Sequence, residues 1–204
     1  EYERPMWYAL DGAKAEYEYS FNYQNWYPSV EHECKNTIEN VGLFELSPFS
    51  KYEIKGEKSY EELQILCTAN IKNEIGKCTY THMLNEGAGI ETDLTVVCLE
   101  KNHFRIISSA AVRTHDKAHI LKHLSKDVEF KDVTDDLICL GIFGPKSRDL
   151  LSKITNENLS NEKFKFGTSK NINIGSSKVW TQRLSYVGEL GYELYINKDN
   201  GKEI

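Results

Sequence analysis

Residues 79–100 read TYTHMLNEGAGIETDLTVVCLE, and this run constrains the fold more than any other. TYTHML reads as one strand, NEGAG as a turn and IETDLTVVCLE as a second strand, a hairpin closed through a glycine-bearing turn. Side chains alternate across a strand. Ile90, Leu94, Val96 and Cys98 therefore share one face, with Thr92 among them, while Glu91, Asp93 and Thr95 share the other, followed by Val97 and Leu99. Aspartate is disfavoured inside a strand, so Asp93 is expected to face either a ligand or, more plainly, solvent.

The remaining chain mixes helices with strands. A helix reads from about Ser29, taken as its N-cap, with Val30, Cys34 and Ile38 as an apolar stripe and Gly42 as its stop. VGLFELSPFSKYEIKG reads as strand and turn, and Ser59 with Glu62 as a capping box before a short helix. HFRIISS is a third strand, a helix covers roughly 113–126, and LICLGIF is a buried strand. Gly144-Pro145 opens another helix, and KNINI, KVWTQRLSY and GYELYI are strands. Near the start, YEYSFNY alternates as an extended segment would. Without regular βαβ alternation the expected class is α+β, not a parallel doubly wound sheet.

Composition excludes several functions. A formal charge of -6 argues against sequence-independent nucleic-acid binding, which depends on basic residues neutralising phosphates. Mean hydropathy of -0.54 and the lack of a long apolar run argue against a membrane span. Five scattered cysteines without a CxxC pair fit small core residues in a reducing compartment better than a disulfide framework or a zinc knuckle. The chain opens on Glu1-Tyr2-Glu3 and stops at Lys202-Glu203-Ile204, so both ends read as cut.

In QRLSYVGELGYELYI, Gly188 and Gly191 bracket Glu189 and permit a tight turn or the close approach of a ligand. Glu193 alternates with Tyr192 and Leu194 and is expected to point away from the core, as on an ordinary hairpin. His115, His119 and His123 fall on one helical face. Without HExxH or a Cys/His cluster they read as a polar stripe, and no metal site is expected. No P-loop or serine-hydrolase elbow is present, and LGIFGPKSR lacks the third glycine of a dinucleotide fingerprint.

Six blocks in order, ERPMWYA, NWYPSVEHE, VGLFELSPFSKYEIKG, TYTHMLNEGAGIETDLTVV, LGIFGPKSRDLLS and RLSYVGELGYELYI, resemble the glycine-cleavage T-protein family over almost the whole chain. The opening ERPMWYA resembles the join after the flavin domain of dimethylglycine and sarcosine dehydrogenases. The resemblance implies an α+β fold of two intertwined subdomains with mainly antiparallel sheets. Residues 1–50 with 131–204 would form the first, discontinuous subdomain and 51–130 the inserted second, with a C-terminal barrel-like domain missing. It implies a tetrahydrofolate-binding one-carbon transfer domain, with Asp93 as the pivotal carboxylate and Tyr80, Tyr186 and Glu193 as folate contacts. Ser109 stands near the place of a folate-contacting asparagine, Ala88 replaces the first glycine of a usual pair, Thr92 the first aspartate, and Glu45 another aspartate.

The implied partners are tetrahydrofolate and an iminium or formaldehyde derived from a methylated amine, with FAD only on a missing N-terminal domain. The location implied is cytoplasmic, or the mitochondrial matrix in a eukaryote. A free-standing aminomethyltransferase or demethylase is the nearest alternative. A non-catalytic folate-binding module is another; its iron–sulfur-maintenance form carries a KGCYxGQE-like run where this chain has SYVGELGYE.

Overall fold

The computed structural model describes residues 5–201. The two end tripeptides, and Glu3 and Arg4 of ERPMWYA, lie outside the described residues. Among the described residues ten strands, numbered in chain order, form two five-stranded sheets in which neighbouring strands pair antiparallel. The first sheet contains β1 (Gly42–Glu45), β7 (Leu137–Phe143), β10 (Gly191–Asn197), β9 (Ser177–Arg183) and β8 (Thr168–Ile174), in that order. The second contains β3 (Cys78–Leu84), β4 (Ile90–Glu100), β5 (His103–Ser108), β2 (Ser50–Lys55) and β6 (Glu129–Asp132). With helices covering the sheets, this is an α+β architecture, and both sheets are open.

Three apolar clusters build it. Leu94, Val96, Phe104 and Ile106 of the second sheet pack with Leu63 of α2 (Ser59–Leu66) and Ile120 of α3 (Arg113–His123). Tyr192, Leu194 and Val179 of the first sheet pack with Leu151 of α4 (Ser147–Leu151) and with Leu159 and Phe164. Between the sheets, Val97, Leu99 and Ile107 meet Cys139 and Tyr195. The two faces of β4 divide as its alternation predicts: Thr92, Leu94 and Val96 turn toward the helices, and Asp93, Thr95 and Val97 toward the other sheet.

Several local expectations are corrected. Helix α1 runs Tyr27–Glu39 with Trp26 at its N-cap, and Ser29 is buried inside it. Pro28 occupies the first turn, where a missing N–H leaves no helical bond unmade. Its stripe of Val30, Cys34 and Ile38 is exposed, so Cys34 is not a core residue, whereas Cys67, Cys98 and Cys139 are buried. The Ser59–Glu62 capping box does not form: Ser59 donates to the Asn102 carbonyl, and Glu62 accepts from Ser125. YEYSFNY is not a strand; Tyr17 and Tyr19 stack and set their rings edge-on to Trp26. These aromatic contacts are local and need no sheet.

Candidate functional site

The β3–β4 hairpin is fixed at its turn by Asn85. The Asn85 side chain accepts from the backbone N–H of Gly87 and Gly89 at 3.0 and 2.9 Å and donates to Glu91 at 2.8 Å. Ala88 takes a φ of 63°, in the left-handed region where the resemblance expects glycine. The register then sets Tyr80 opposite Thr95 and His82 opposite Asp93, so Tyr80 and Asp93 are diagonal neighbours on one face. Tyr80 donates its hydroxyl to Asp93 Oδ2 at 3.0 Å, and this bond raises the Tyr80 hydroxyl above its usual range. Both side chains are exposed. One residue back, Thr92 is buried and donates to Asp116 Oδ2 at 2.9 Å, which ties β4 to α3 beside Asp93.

Ser109 follows Ser108, the ladder partner of Leu94, and so stands one step beyond the β4–β5 ladder, level with Asp93. Its hydroxyl caps the short 3-10 helix Ala110–Val112, accepting from Ala111 N–H at 3.4 Å. Tyr186 lies in the β9–β10 connection. Its ring packs near Phe49, centroids 6.0 Å apart, and it lines an apolar groove of about 670 Å³ with Val187, Leu46 and Phe44. The structure thus joins Tyr80 with Asp93, sets Ser109 beside them in register, and seats Tyr186 on a groove it shares with Leu46, which also packs against the inter-sheet cluster.

Glu193 does not point away from the core. It is 9% exposed, accepts the Tyr195 hydroxyl at 2.8 Å, and burial pushes its carboxyl up from the usual range. The reason is topological. Strand β10 sits between β7 and β9, with one apolar cluster against Tyr192 and Leu194 and the second sheet against Tyr195, so neither of its faces reaches solvent.

Sequence reasoning missed the charged residues of this inter-sheet face. Arg105 places Nε and a terminal nitrogen 3.2 and 2.6 Å from Glu53 Oε1, and its guanidinium carbon lies 5.8 Å from the Tyr195 ring centroid. Glu53 also bonds His103 at 3.1 Å. Burial works to raise the Glu53 carboxyl, but the bonds from His103 and Arg105 hold it down at about 2. Lys51, fully buried, donates to the carbonyls of Ser47 and Phe49 at 2.7 and 2.8 Å, and burial lowers its ammonium. Charges inside the strand runs KYEIK and HFRIIS were the available signal.

The histidine stripe of α3 borders a separate cavity of about 580 Å³, where His115 bonds Glu91 at 2.8 Å. Among the described residues no group of three or more His, Cys, Asp or Glu is placed to hold a metal, and none of their helices is long and apolar enough to cross a membrane.

The GCVT N-terminal domain matches residues 1–204, the whole chain. The chain belongs to the glycine-cleavage T-protein family. Among T-protein relatives, 4-methylaminobutanoate oxidase (formaldehyde-forming) of Paenarthrobacter nicotinovorans is 38% identical over 97% of this chain and 24% of its own length. Mitochondrial dimethylglycine dehydrogenase of Rattus norvegicus is 36% identical over 98% of the chain and 24% of its own length. The chain thus spans about a quarter of these relatives. The glycine cleavage system aminomethyltransferase T of Bartonella henselae superposes with a TM-score of 0.76 at 21% identity, over 95% of this chain and 53% of that one, so the T-protein fold is shared.

Proposed function

We propose that this T-protein domain binds tetrahydrofolate between its two sheets and passes to it the carbon released by flavin-dependent N-demethylation of a small methylated amine, as in dimethylglycine or sarcosine oxidation. The observation that carries the reading is the pairing of an exposed carboxylate, Asp93, held by Tyr80, with a buried one, Glu193, on the opposed sheet. Their environments separate their tasks. The relatives that match nearly the whole chain include a formaldehyde-forming oxidase and a dimethylglycine dehydrogenase, which support the amine-derived carbon.

The inter-sheet face carries hydrogen-bonding groups of the kind a flat heterocycle would engage. It becomes progressively buried along β4, from exposed Asp93 through half-buried Thr95 to Val97, so an aromatic ring would sit deep and the reacting end near the mouth. A carboxylate accepts two adjacent N–H groups of a heterocycle in a bidentate way, the role assigned to Glu193. Tyr80 supplies an aromatic wall, and Ser109 a hydroxyl level with Asp93. Tyr186 enters this reading through Phe49, which its ring meets and which packs against the inter-sheet cluster. Bound in this way, tetrahydrofolate would supply a nucleophilic nitrogen for the iminium or formaldehyde carbon, with the amine or water as the group that leaves. Asp93 would hold the proton that this nitrogen gives up, a contribution of about 10²–10⁴-fold for a positioned base. Flavin belongs to another part of the protein, and no residue here is assigned to it.

The same reading divides the chain into 1–50 with 131–204 and an inserted 51–130. Sheet membership supports it, with β1 and β7 to β10 in one sheet and β2 to β6 in the other; the proposed boundaries fall at the first residue of β2 and inside β6.

The test is product partition in the intact native protein at saturating tetrahydrofolate. Asp93→Asn keeps the size of the side chain but cannot accept a proton at neutral pH. Amine oxidation should stay near its original rate, while methylene-tetrahydrofolate falls about 10²-fold relative to free formaldehyde. An unchanged ratio would leave Asp93 as a solvated strand residue. A free-standing transferase would show folate-dependent transfer without amine oxidation.

A further inference from the structure

Gln182 is fully buried, and among the described residues neither its amide nitrogen nor its amide oxygen has a hydrogen-bond partner. Its place is defined by register. In β9 it lies directly opposite Glu193 of β10 on one side and Ser169 of β8 on the other. Trp180, two residues earlier and opposite Tyr195, belongs to the inter-sheet cluster, so Gln182 shares the face that carries Glu193 and Tyr195. The Trp180 indole N–H on this face is likewise buried without a partner.

A buried amide with both ends unpaired destabilises the state in which it is found, and an apolar side chain of similar volume would not. Strand β9 is otherwise economical on its two faces: Val179 packs in the outer cluster and Trp180 in the inner one. Across the ladder, Glu193 has one side-chain donor, the Tyr195 hydroxyl on Oε2. A buried carboxylate that must stay ionised while it grips a ligand needs more than one. Directly opposed side chains in an antiparallel pair stand about 5 Å apart at Cβ, within reach of a glutamine amide after a change of rotamer.

We propose that Gln182 is a positioning residue for Glu193, its amide N–H donating to the Glu193 carboxylate when a ligand with paired N–H groups engages that carboxylate. This rests on the folate reading above and deepens it, because it names what orients the buried acceptor. Most other titratable groups of this face are neutral or engaged elsewhere. Tyr195 is already its donor, while the thiols of Cys139 on β7 and Cys78 on β3 are both pushed up by burial and stay neutral. Lys51 on β2 is held by two carbonyls, and Arg105 on β5 is bound to Glu53 through Nε and one terminal nitrogen, its other terminal nitrogen being buried without a partner among the described residues.

The test uses the intact native protein, tetrahydrofolate as probe, and a double-mutant cycle. Gln182→Met keeps the volume and removes the amide. Tetrahydrofolate should bind about 10-fold more weakly, while the rate of transfer from bound folate stays within about twofold. In a Glu193→Gln background the same change should have little further effect, because the carboxylate it serves is gone. Without ligand, Gln182→Met should melt at the same temperature or higher, which separates loss of binding from loss of fold.

Unchanged tetrahydrofolate affinity in Gln182→Met would overturn the proposal and leave the folate reading standing. Equal losses in the two backgrounds would overturn it too, since Gln182 would then act independently of Glu193. If Gln182→Met does not fold, Gln182→Asn, which keeps an amide on an arm one carbon shorter, should still show a loss confined to the background containing Glu193. No binding of tetrahydrofolate by the unaltered protein would overturn the folate reading itself.

Discussion

The Tyr80 hydroxyl donates to Asp93 Oδ2 at 3.0 Å across the β3–β4 ladder, so the proposed proton acceptor is oriented by a residue thirteen positions earlier in the chain. Because Tyr80 acts through Asp93, their substitutions should not add. Tyr80→Phe should lower carbon transfer to tetrahydrofolate about 3- to 10-fold and Asp93→Asn about 10²-fold, while the double variant stays close to Asp93→Asn alone. Single-turnover transfer rates measure this directly. A double variant showing the product of the two losses would separate the residues.

Glu193 and Glu53 predict opposite pH dependences. Burial raises Glu193, so its contribution to stability is fully present below the unfolded carboxylate pKa and is lost as pH rises through the higher folded value. Glu193→Gln should remove that loss and raise ligand-free stability at neutral pH by on the order of 1 kcal/mol, while weakening tetrahydrofolate binding. Denaturant melts at pH 5 and pH 8, with and without tetrahydrofolate, read both effects. No gain in stability would show that the buried carboxylate is already compensated.

For Glu53 the folded value lies at about 2, below the ordinary 4.5, so its stabilisation is present above 4.5 and drains away as pH falls toward 2. Glu53→Gln strips Arg105 of its carboxylate in a mostly buried setting and should cost about 3 kcal/mol at neutral pH. It should also flatten the acid limb of the stability curve. An acid limb unchanged in the variant would assign acid unfolding to other groups.

Ala88 holds a left-handed φ of 63° in the β3–β4 turn. Glycine adopts that conformation without a Cβ penalty, offset in part by its greater freedom when unfolded. Ala88→Gly should therefore stabilise the domain by about 0.5–1 kcal/mol, seen as a higher melting temperature. A lower one would mean that the Ala88 methyl group contributes packing worth more than the relief.

How far the sequence could be read follows from which partners each element has. The hairpin was legible because β4 is amphipathic: helices cover one face and the other runs from solvent to the second sheet, so alternation alone separates Thr92 from Asp93. Glu193 was misread because β10 is buried on both faces, and alternation then signals nothing about exposure. The α1 stripe of Val30, Cys34 and Ile38 failed differently. Helical spacing shows that three residues share a side, but not that anything covers it. Gln182 gave no local signal, since its meaning comes from a strand neighbour eleven residues away.

Strand β2 pairs with β6 so that Tyr52 stands opposite Asp132. The chain therefore departs from the first sheet and comes back to it at neighbouring rungs of a single ladder, eighty residues apart in sequence but side by side in space. An excursion whose entrance and exit adjoin behaves like a cassette. Recombination between relatives could exchange everything from β2 to β6 through two adjacent splice points, replacing the sheet that carries Asp93 while leaving the sheet that carries Glu193 untouched. Such chimaeras would let each sheet's contribution to function be inherited, and measured, separately.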